Sequence, residues 1–316
     1  MFENVNADKL RLVLKLFGYK NVAKIKKEEA LVIVNDLYKN KDAINEILKL
    51  MDLKAFKILK SLVNNNNSYK YTQWKSEYSF ICNYLLADRS SENCICLEKE
   101  IYEKIKMFNL NDYQQTAIVN QELKMLCKIM VDTYGIVKVD DVIARLNEKF
   151  KDIAYVDDEH INKLLKTEFN NIEMKSYKKV KYLYKNYIDA QWFKEISDRH
   201  EMIERKVISY KELISYQDVR NVTNNQSQLL YKIFIQFMNA QQARSLEEFV
   251  VDHLRVGYYN DVVQKILEEI IKYVPIRSEK DIKMFVDIIF KIYSDTIIWD
   301  NNGYSPIALR NKRNEN

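Results

Sequence analysis

Apolar residues recur along this chain mostly at spacings of three and four, the period of a helix with one buried face. Leu10, Val13, Leu14 and Phe17 share such a face, and Gly18 can take the left-handed conformation that ends the helix. A second helix is predicted over about 27–38, with Leu31, Val34 and Tyr38 inward, and two more over 44–50 and 53–63. The asparagines at 64–67 break the pattern, because short polar side chains compete with the backbone for hydrogen bonds. Beyond them, 71–86 predicts an aromatic helix, 89–94 a polar loop and 97–108 another helix.

Between 121 and 193 the pattern is more specific. Leu123, Leu126, Cys127, Met130 and Tyr134 line a first helix that Gly135 ends, and 136–138 is a short extended link. Val142, Ile143, Leu146 and Phe150 line a second helix, with Asp140 and Asp141 suited to the positive end of its dipole. Asp157 is a good N-cap for a third, whose buried face is Ile161, Leu164, Leu165 and Phe169. Then the period drops to two: Val180, Tyr182 and Tyr184 alternate with Lys179, Lys181 and Lys185. With Ile172 and Met174 before them, these residues predict a β-hairpin. From Trp192 onward helices return, interrupted by Pro275, and 279–298 forms a long one with Ile282, Phe285, Val286, Ile289, Ile292 and Tyr293 on its apolar face.

Three short helices followed by a basic hairpin resemble a winged helix, a nucleic-acid reader. Composition agrees with a helical chain, since 4 Gly and 2 Pro in 316 residues are too few for the turns of a sandwich, barrel or doubly wound sheet. The expected fold is therefore mainly α, a multi-helix protein with one small winged-helix-like β-hairpin. Heavy Lys, Asn, Ile and Tyr usage is what AT-rich codons produce, which suggests a bacterium or a mobile element and carries no mechanism.

Charge is unevenly spread. Residues 1–62 hold 13 Lys and Arg against 8 Asp and Glu, which accounts for the whole net charge of +5. The segment LRLVLKLFGYKNVAKIKKEEALVIVNDLY within it resembles the small helix, extended loop and helix at the N-terminus of the Rho transcription terminator, a relative of SAP modules. The matching positions are the Leu-rich first helix, Gly18, Ile25 in the loop and the KKEEALV start of the second helix. That resemblance implies nucleic-acid contact through Lys20, Lys24, Lys26 and Lys27. The expected domains are 1–63, a helical Rho-N-like module; 64–118, a helical connector; 119–193, winged-helix-like; and 194–316, a C-terminal helical domain. Near the end, Trp299, Gly303, Tyr304, Ser305, Pro306 and Leu309 form a W-x-x-x-G-Y-S-P-x-x-L segment similar to one in bacterial proteins of this layout. Some of those continue into a cysteine-rich zinc module. This sequence ends at RNKRNEN without such cysteines, so zinc is not implied.

Lys175, Lys178, Lys179, Lys181 and Lys185 lie within fifteen residues that carry no acid, interleaved with Tyr177, Tyr182, Tyr184 and Tyr187. Lysines neutralise phosphates and tyrosines stack on bases. On the third helix Asn162, Lys163, Lys166 and Thr167 face away from the predicted core, where a major groove would be read. Asp157, Asp158 and Glu159 crowd its start and would repel phosphate. The same lysines would also suit a structural hairpin whose edge is kept soluble.

Nothing points to catalysis. The sequence has no Walker A, G-x-G-x-x-G, G-x-S-x-G or H-E-x-x-H pattern. Around His200, the acids Glu195, Asp198, Glu201 and Glu204 have the spacing of surface helix pairs. Cys94 and Cys96 are a single close pair without zinc-ligand spacing, and four scattered cysteines suit a reduced, cytoplasmic protein. No apolar run reaches the ~20 residues of a membrane span, and the N-terminus lacks a signal-peptide pattern. The expectation is a non-enzymatic, cytoplasmic, nucleic-acid-associated protein without cofactor, metal, membrane or small-molecule substrate. In it the lysines at 20–27 and 175–185 would share one polyanion-facing flank. The alternative is a protein–protein interaction factor of the kind phage or defence systems use. A homodimer or a protein partner would pack on the apolar C-terminal helices.

Overall fold

The computed structural model describes residues 2, 5–73, 78–85, 87–90, 93–151, 153–168, 171–256 and 261–315. The fold is mainly α with two small antiparallel sheets. The chain divides into two compact units, 1–125 with 149–170 and 126–148 with 171–316. The expected segments 1–63 and 64–118 thus fall in one unit, and 119–193 contributes to both.

In the first unit, α1 (Ala7–Leu16) starts on Asn6, whose side chain accepts from the Asp8 amide at 2.6 Å, and buries Leu10, Val13, Leu14 and Leu16. Gly18 ends it at φ +84°. α2 (Lys27–Lys39) buries Ala30, Val34 and Tyr38, α3 (Lys41–Lys49) is capped by Asn40, and α4 (Leu53–Asn64) by Asp52. Asn66 and Asn67 do turn the chain, both with positive φ. The turn is tied down rather than a linker: Asn67 Nδ2 donates to the Leu97 carbonyl at 2.7 Å and its Oδ1 accepts from the Leu97 amide at 2.8 Å.

The next stretch departs from the expected helix and loop. β1 (Tyr69–Lys70), β2 (Asp88–Ser90) and β3 (Cys94–Cys96) form a sheet of order β1-β3-β2, and among the described residues between them α5 (Ser79–Tyr84) is the α-helix. Tyr69 and Tyr71 pack on Tyr78 with ring centres 5.7 and 5.4 Å apart, and the Tyr71 amide donates to Asn93 at 3.0 Å. These aromatics therefore fix an extended segment. Residues 74–77 and 86 of the predicted helix lie outside the described residues. α6 (Lys99–Ile105) follows, then α7 (Gln114–Tyr134), which runs on into the second unit.

Within that second unit β4 (Ile136–Lys138) and α8 (Val139–Asn147) follow the end of α7, whereas α9 (Asp158–Glu168) belongs to the first unit. The predicted hairpin is present as β5 (Ile172–Tyr177) and β6 (Val180–Lys185). β4 pairs with the other edge of β6, Val137 opposite Leu183, giving the order β4-β6-β5. The helices α10 (Ala190–Met202), α11 (Tyr210–Ser215), α12 (Val219–Val222), α13 (Gln228–Phe234), α14 (Ala240–Arg255), α15 (Val262–Ile271), α16 (Glu279–Asp295) and α17 (Pro306–Glu315) complete it.

One core of this unit packs Leu230, Phe234, Val250, Leu254, Ile266, Phe285 and Ile289 from α13 to α16. Ile282, predicted inward, is 42 % exposed. A second cluster gathers Tyr182, Phe193, Ile196 and Trp299. The W-x-x-x-G-Y-S-P segment closes it. Trp299 donates its indole N–H to the Asp132 carbonyl at 3.0 Å and lies so close to Gly135, at φ +75°, that a Cβ there would come within 2.6 Å of the ring. No helix among the described residues is long and apolar enough to cross a membrane.

Candidate nucleic-acid interface

The loop after α1 is a built turn. Asn21 takes a left-handed conformation, Val22–Lys24 forms one 3-10 turn, and Arg11 reaches across to donate to the Ile25 carbonyl from Nε at 3.3 Å and Nη2 at 3.0 Å. Arg11 is itself steadied by Asp8 at 3.2 Å. This arrangement leaves Lys20, Lys24, Lys26 and Lys27 exposed around one short segment. Among the described residues none of Lys20, Lys24 and Lys26 forms an ion pair. Glu28 and Glu29 occupy the first turn of α2, where the helix dipole offsets part of their charge.

On α9 the expected cap is present, with Asp157 accepting from the His160 amide at 2.8 Å, and Ile161, Leu164 and Leu165 are buried. Phe169 lies outside the described residues. The outward face differs from a groove reader's. Lys163 is held by Glu159 at 2.8 Å and Glu46 at 3.3 Å, and its hydrogen bond to Glu159 is the main reason its ammonium is held above the usual lysine value. Thr167 donates back to the Leu164 carbonyl at 2.7 Å, as a hydroxyl on a helix commonly does. Lys166 is half-buried, and desolvation followed by Lys15 pushes it below its usual value. His160 sits 2.8 Å from the Asn120 side chain and is lowered chiefly by burial.

The hairpin corrects the sequence reading most. Tyr177, Tyr182 and Tyr184 surround the Phe193 ring edge-on at 5.5, 5.7 and 5.3 Å, so the face expected to stack on bases packs on α10 instead. Lys185 is not exposed: it is 7 % accessible and ion-paired with Asp132, which Lys128 also holds at 2.8 Å. Burial pushes the Asp132 carboxyl up, but Lys185 and Lys128 outweigh it and hold it below the usual carboxylate range. Lys178 pairs with Glu201 at 2.8 Å and approaches Asp198 at 3.6 Å. Lys175 lies over the Phe193 ring at 4.5 Å. Lys185 therefore leaves the phosphate-facing set because it is buried, and Lys163 and Lys178 leave it because carboxylates already occupy them.

Lys179 and Lys181 are exposed, as Lys178 is. Lys178 and Lys179 form the two-residue turn itself, with Tyr177 opposite Val180 and both central φ values positive, +48° and +67°. Such turns normally use Asn or Gly, because a Cβ is crowded at positive φ. The sequence signal for this was present, two residues between alternating runs, but lysines disguised it.

The acids around His200 are not held by helix-spaced partners alone: Asp198 and Glu201 face Lys178, and Glu204 holds Lys312 at 2.6 Å. Gln191 bonds Glu195 at 3.1 Å, and Arg199 pairs with Asp300. His200 points inward to the Trp299 carbonyl at 2.7 Å, and burial pushes it down to about 4. Among the described residues no group of three or more His, Cys, Asp and Glu is placed to hold a metal ion. Lys20–Lys27 belong to the first unit and Lys175–Lys185 to the second. Compared with known proteins, the chain matches no family model, no curated protein and no solved structure.

Proposed function

We propose that this is a non-enzymatic, nucleic-acid-associated protein that grips the phosphate backbone through the loop between α1 and α2. The observation that supports this reading is the exposed set Lys20, Lys24 and Lys26, without ion pairs among the described residues and presented by a loop that Arg11 fixes. The loop sits between two helices in the order of the Rho-N-like module. The helices and three-stranded sheet over 119–193 keep the order of a winged helix, in which Lys179 and Lys181 add contacts. Lysines placed this way position a backbone and read little sequence.

Fluorescence anisotropy with duplex and single-stranded DNA and RNA tests it. Binding should weaken steeply with salt. K20A/K24A/K26A should flatten the log–log salt slope by about 2 to 3, at ~0.9 for each duplex phosphate left without its lysine. Absence of binding to every duplex and single strand at low salt would end the proposal.

A second reading has its own observation. Ile235, Phe237, Ile271, Tyr273 and Phe290, all on or beside the C-terminal helices, are between 43 and 52 % exposed. Apolar exposure of this kind suits a protein partner or a second copy. A stoichiometric protein partner retained after nuclease treatment, with no nucleic-acid binding by the purified chain, would favour it.

A further inference from the structure

Arg255, the last residue of α14, is 5 % exposed, yet among the described residues neither its Nε nor its Nη2 has a hydrogen-bond partner. Its ion pair with Asp252 is made by the other nitrogen, Nη1, at 3.6 Å. Nε–H and Nη2–H form one edge of the guanidinium and point the same way. They are the fork that takes both oxygens of a carboxylate side by side. A guanidinium does not shed its proton, so a buried edge without acceptors costs free energy. The helix C-terminus eases the charge but supplies no oxygen to either donor.

Arg255 lines a cavity of about 480 Å³, within the size range of small-molecule sites. Three cations (Lys128, Lys185, Arg255) and three carboxylates (Asp132, Glu248, Asp252) line it, so the formal charges cancel. Most of them are already engaged: Asp132 by Lys185 and Lys128, and Glu248 by Arg244 at 3.2 Å. The unanswered donors are those of Arg255. A balanced lining suits a monoanion better than a dianion. Tyr187, Tyr216 and Trp299 supply aromatic wall, the first and last stacked with centres 6.3 Å apart.

We propose that this cavity binds a small monocarboxylate with a flat, apolar body, its two oxygens on Nε and Nη2 of Arg255. The proposal is independent of nucleic-acid binding and concerns the second unit alone.

Calorimetric titration of the full chain with benzoate, benzamide and phenyl phosphate tests it, with tryptophan fluorescence as a second readout because Trp299 lines the cavity. Benzoate should bind. Benzamide, of the same shape without charge, should bind at least about tenfold more weakly, as should dianionic phenyl phosphate. R255M keeps the length of the side chain and removes the fork, and should lose benzoate by about tenfold or more; R255K keeps charge without the fork and should fall between. Circular dichroism checks that both fold, and should R255M not fold, R255K and the benzoate–benzamide comparison carry the test. No saturation with benzoate by about 10 mM, equal binding of benzamide, tighter binding of phenyl phosphate, or unchanged affinity in a folded R255 variant would each overturn it.

Discussion

Glu247 is a buried carboxylate whose loss should weaken the second unit. It lies on α14 with no solvent exposure, and four donors converge on its carboxylate. Arg220 reaches it with Nε at 3.2 Å and Nη2 at 3.2 Å, Arg244 with Nη1 at 2.8 Å, and Ser227 with Oγ at 2.7 Å. These bonds tie α12 and the start of α13 to α14. Breaking a buried pair by removing one partner costs about 3 to 5 kcal/mol, because the remaining charge is stranded. Two observations reduce that here. The arginine side chains are 26 and 28 % exposed, and Arg244 keeps Asp218 at 2.6 Å. Glu247→Gln should therefore cost about 2 kcal/mol, since its amide turns a donor toward the guanidiniums, and Glu247→Ala about 3 kcal/mol, since it also leaves a void. Replacing both partners, Glu247→Met with Arg220→Met, should recover much of the loss, because the stranded charge goes too. Urea unfolding followed by tryptophan fluorescence reports this unit well, as two of the three tryptophans, Trp192 and Trp299, lie in it. A Glu247→Gln protein within about 0.5 kcal/mol of wild type would show that the network is decorative and refute the reasoning.

Lys179→Gly should stabilise the protein by about 0.5 to 1 kcal/mol, the relief of a crowded Cβ at φ +67° less the entropy of a glycine, whereas Lys179→Ala should leave stability unchanged; equal midpoints in urea for the two would contradict this. Gly135→Ala should cost about 3 kcal/mol, measured as a lowered unfolding midpoint, because its Cβ meets the Trp299 ring and φ is +75°. His200 is pushed down to about 4 by burial, so the unfolded chain takes up a proton that the folded chain refuses; stability should fall as pH drops from about 6.5 toward 4, by about 3 kcal/mol at most, and His200→Asn should flatten unfolding midpoints across that window. The Asp52 carboxyl is raised by burial but held below its usual value by Lys124 at 2.9 Å and the Ala55 amide; its contribution is present above the unfolded value near 3.9 and is lost as pH falls below it through the folded value, so Asp52→Asn should weaken the first unit more at pH 7 than at low pH, read by circular dichroism.

Helices were legible where apolar residues recurred at spacings of three and four, as Leu10, Val13 and Leu14 or Phe285, Ile289 and Ile292 do. The sheet β1-β3-β2 was not, because strands of two or three residues are too short to display a period. The hairpin was legible from its alternation, but alternation alone does not say that one face is open. Here the tyrosine face packs on Phe193, while Leu183, at 0 % exposure, and Lys185 share the other side of β6. A lysine at an apparently solvent-facing position was thereby an interior one, paired with a carboxylate fifty-three residues earlier. Arg255 was invisible for a different reason. With Asp252 three residues before it, it has the spacing of an ordinary surface pair, and only burial separates the two cases.

The availability of a cation therefore depends on the carboxylates brought to it by the fold more than on the density of lysines along the chain. The 175–185 segment carries no acid of its own, yet among the described residues Asp132, Asp198 and Glu201 arrive from elsewhere in the second unit to pair with its Lys185 and Lys178. The 20–27 segment also carries none, and Lys20, Lys24 and Lys26 acquire no such partners among the described residues. A polyanion approaching Lys178 must compete with a carboxylate at hydrogen-bond distance and returns only the difference between two similar interactions. At Lys24 it competes with water and small counterions, whose release is itself favourable. The number of lysines thus does not set the driving force by itself, and the loop between α1 and α2, with fewer cations in its sequence than the hairpin, has the larger share of it to offer.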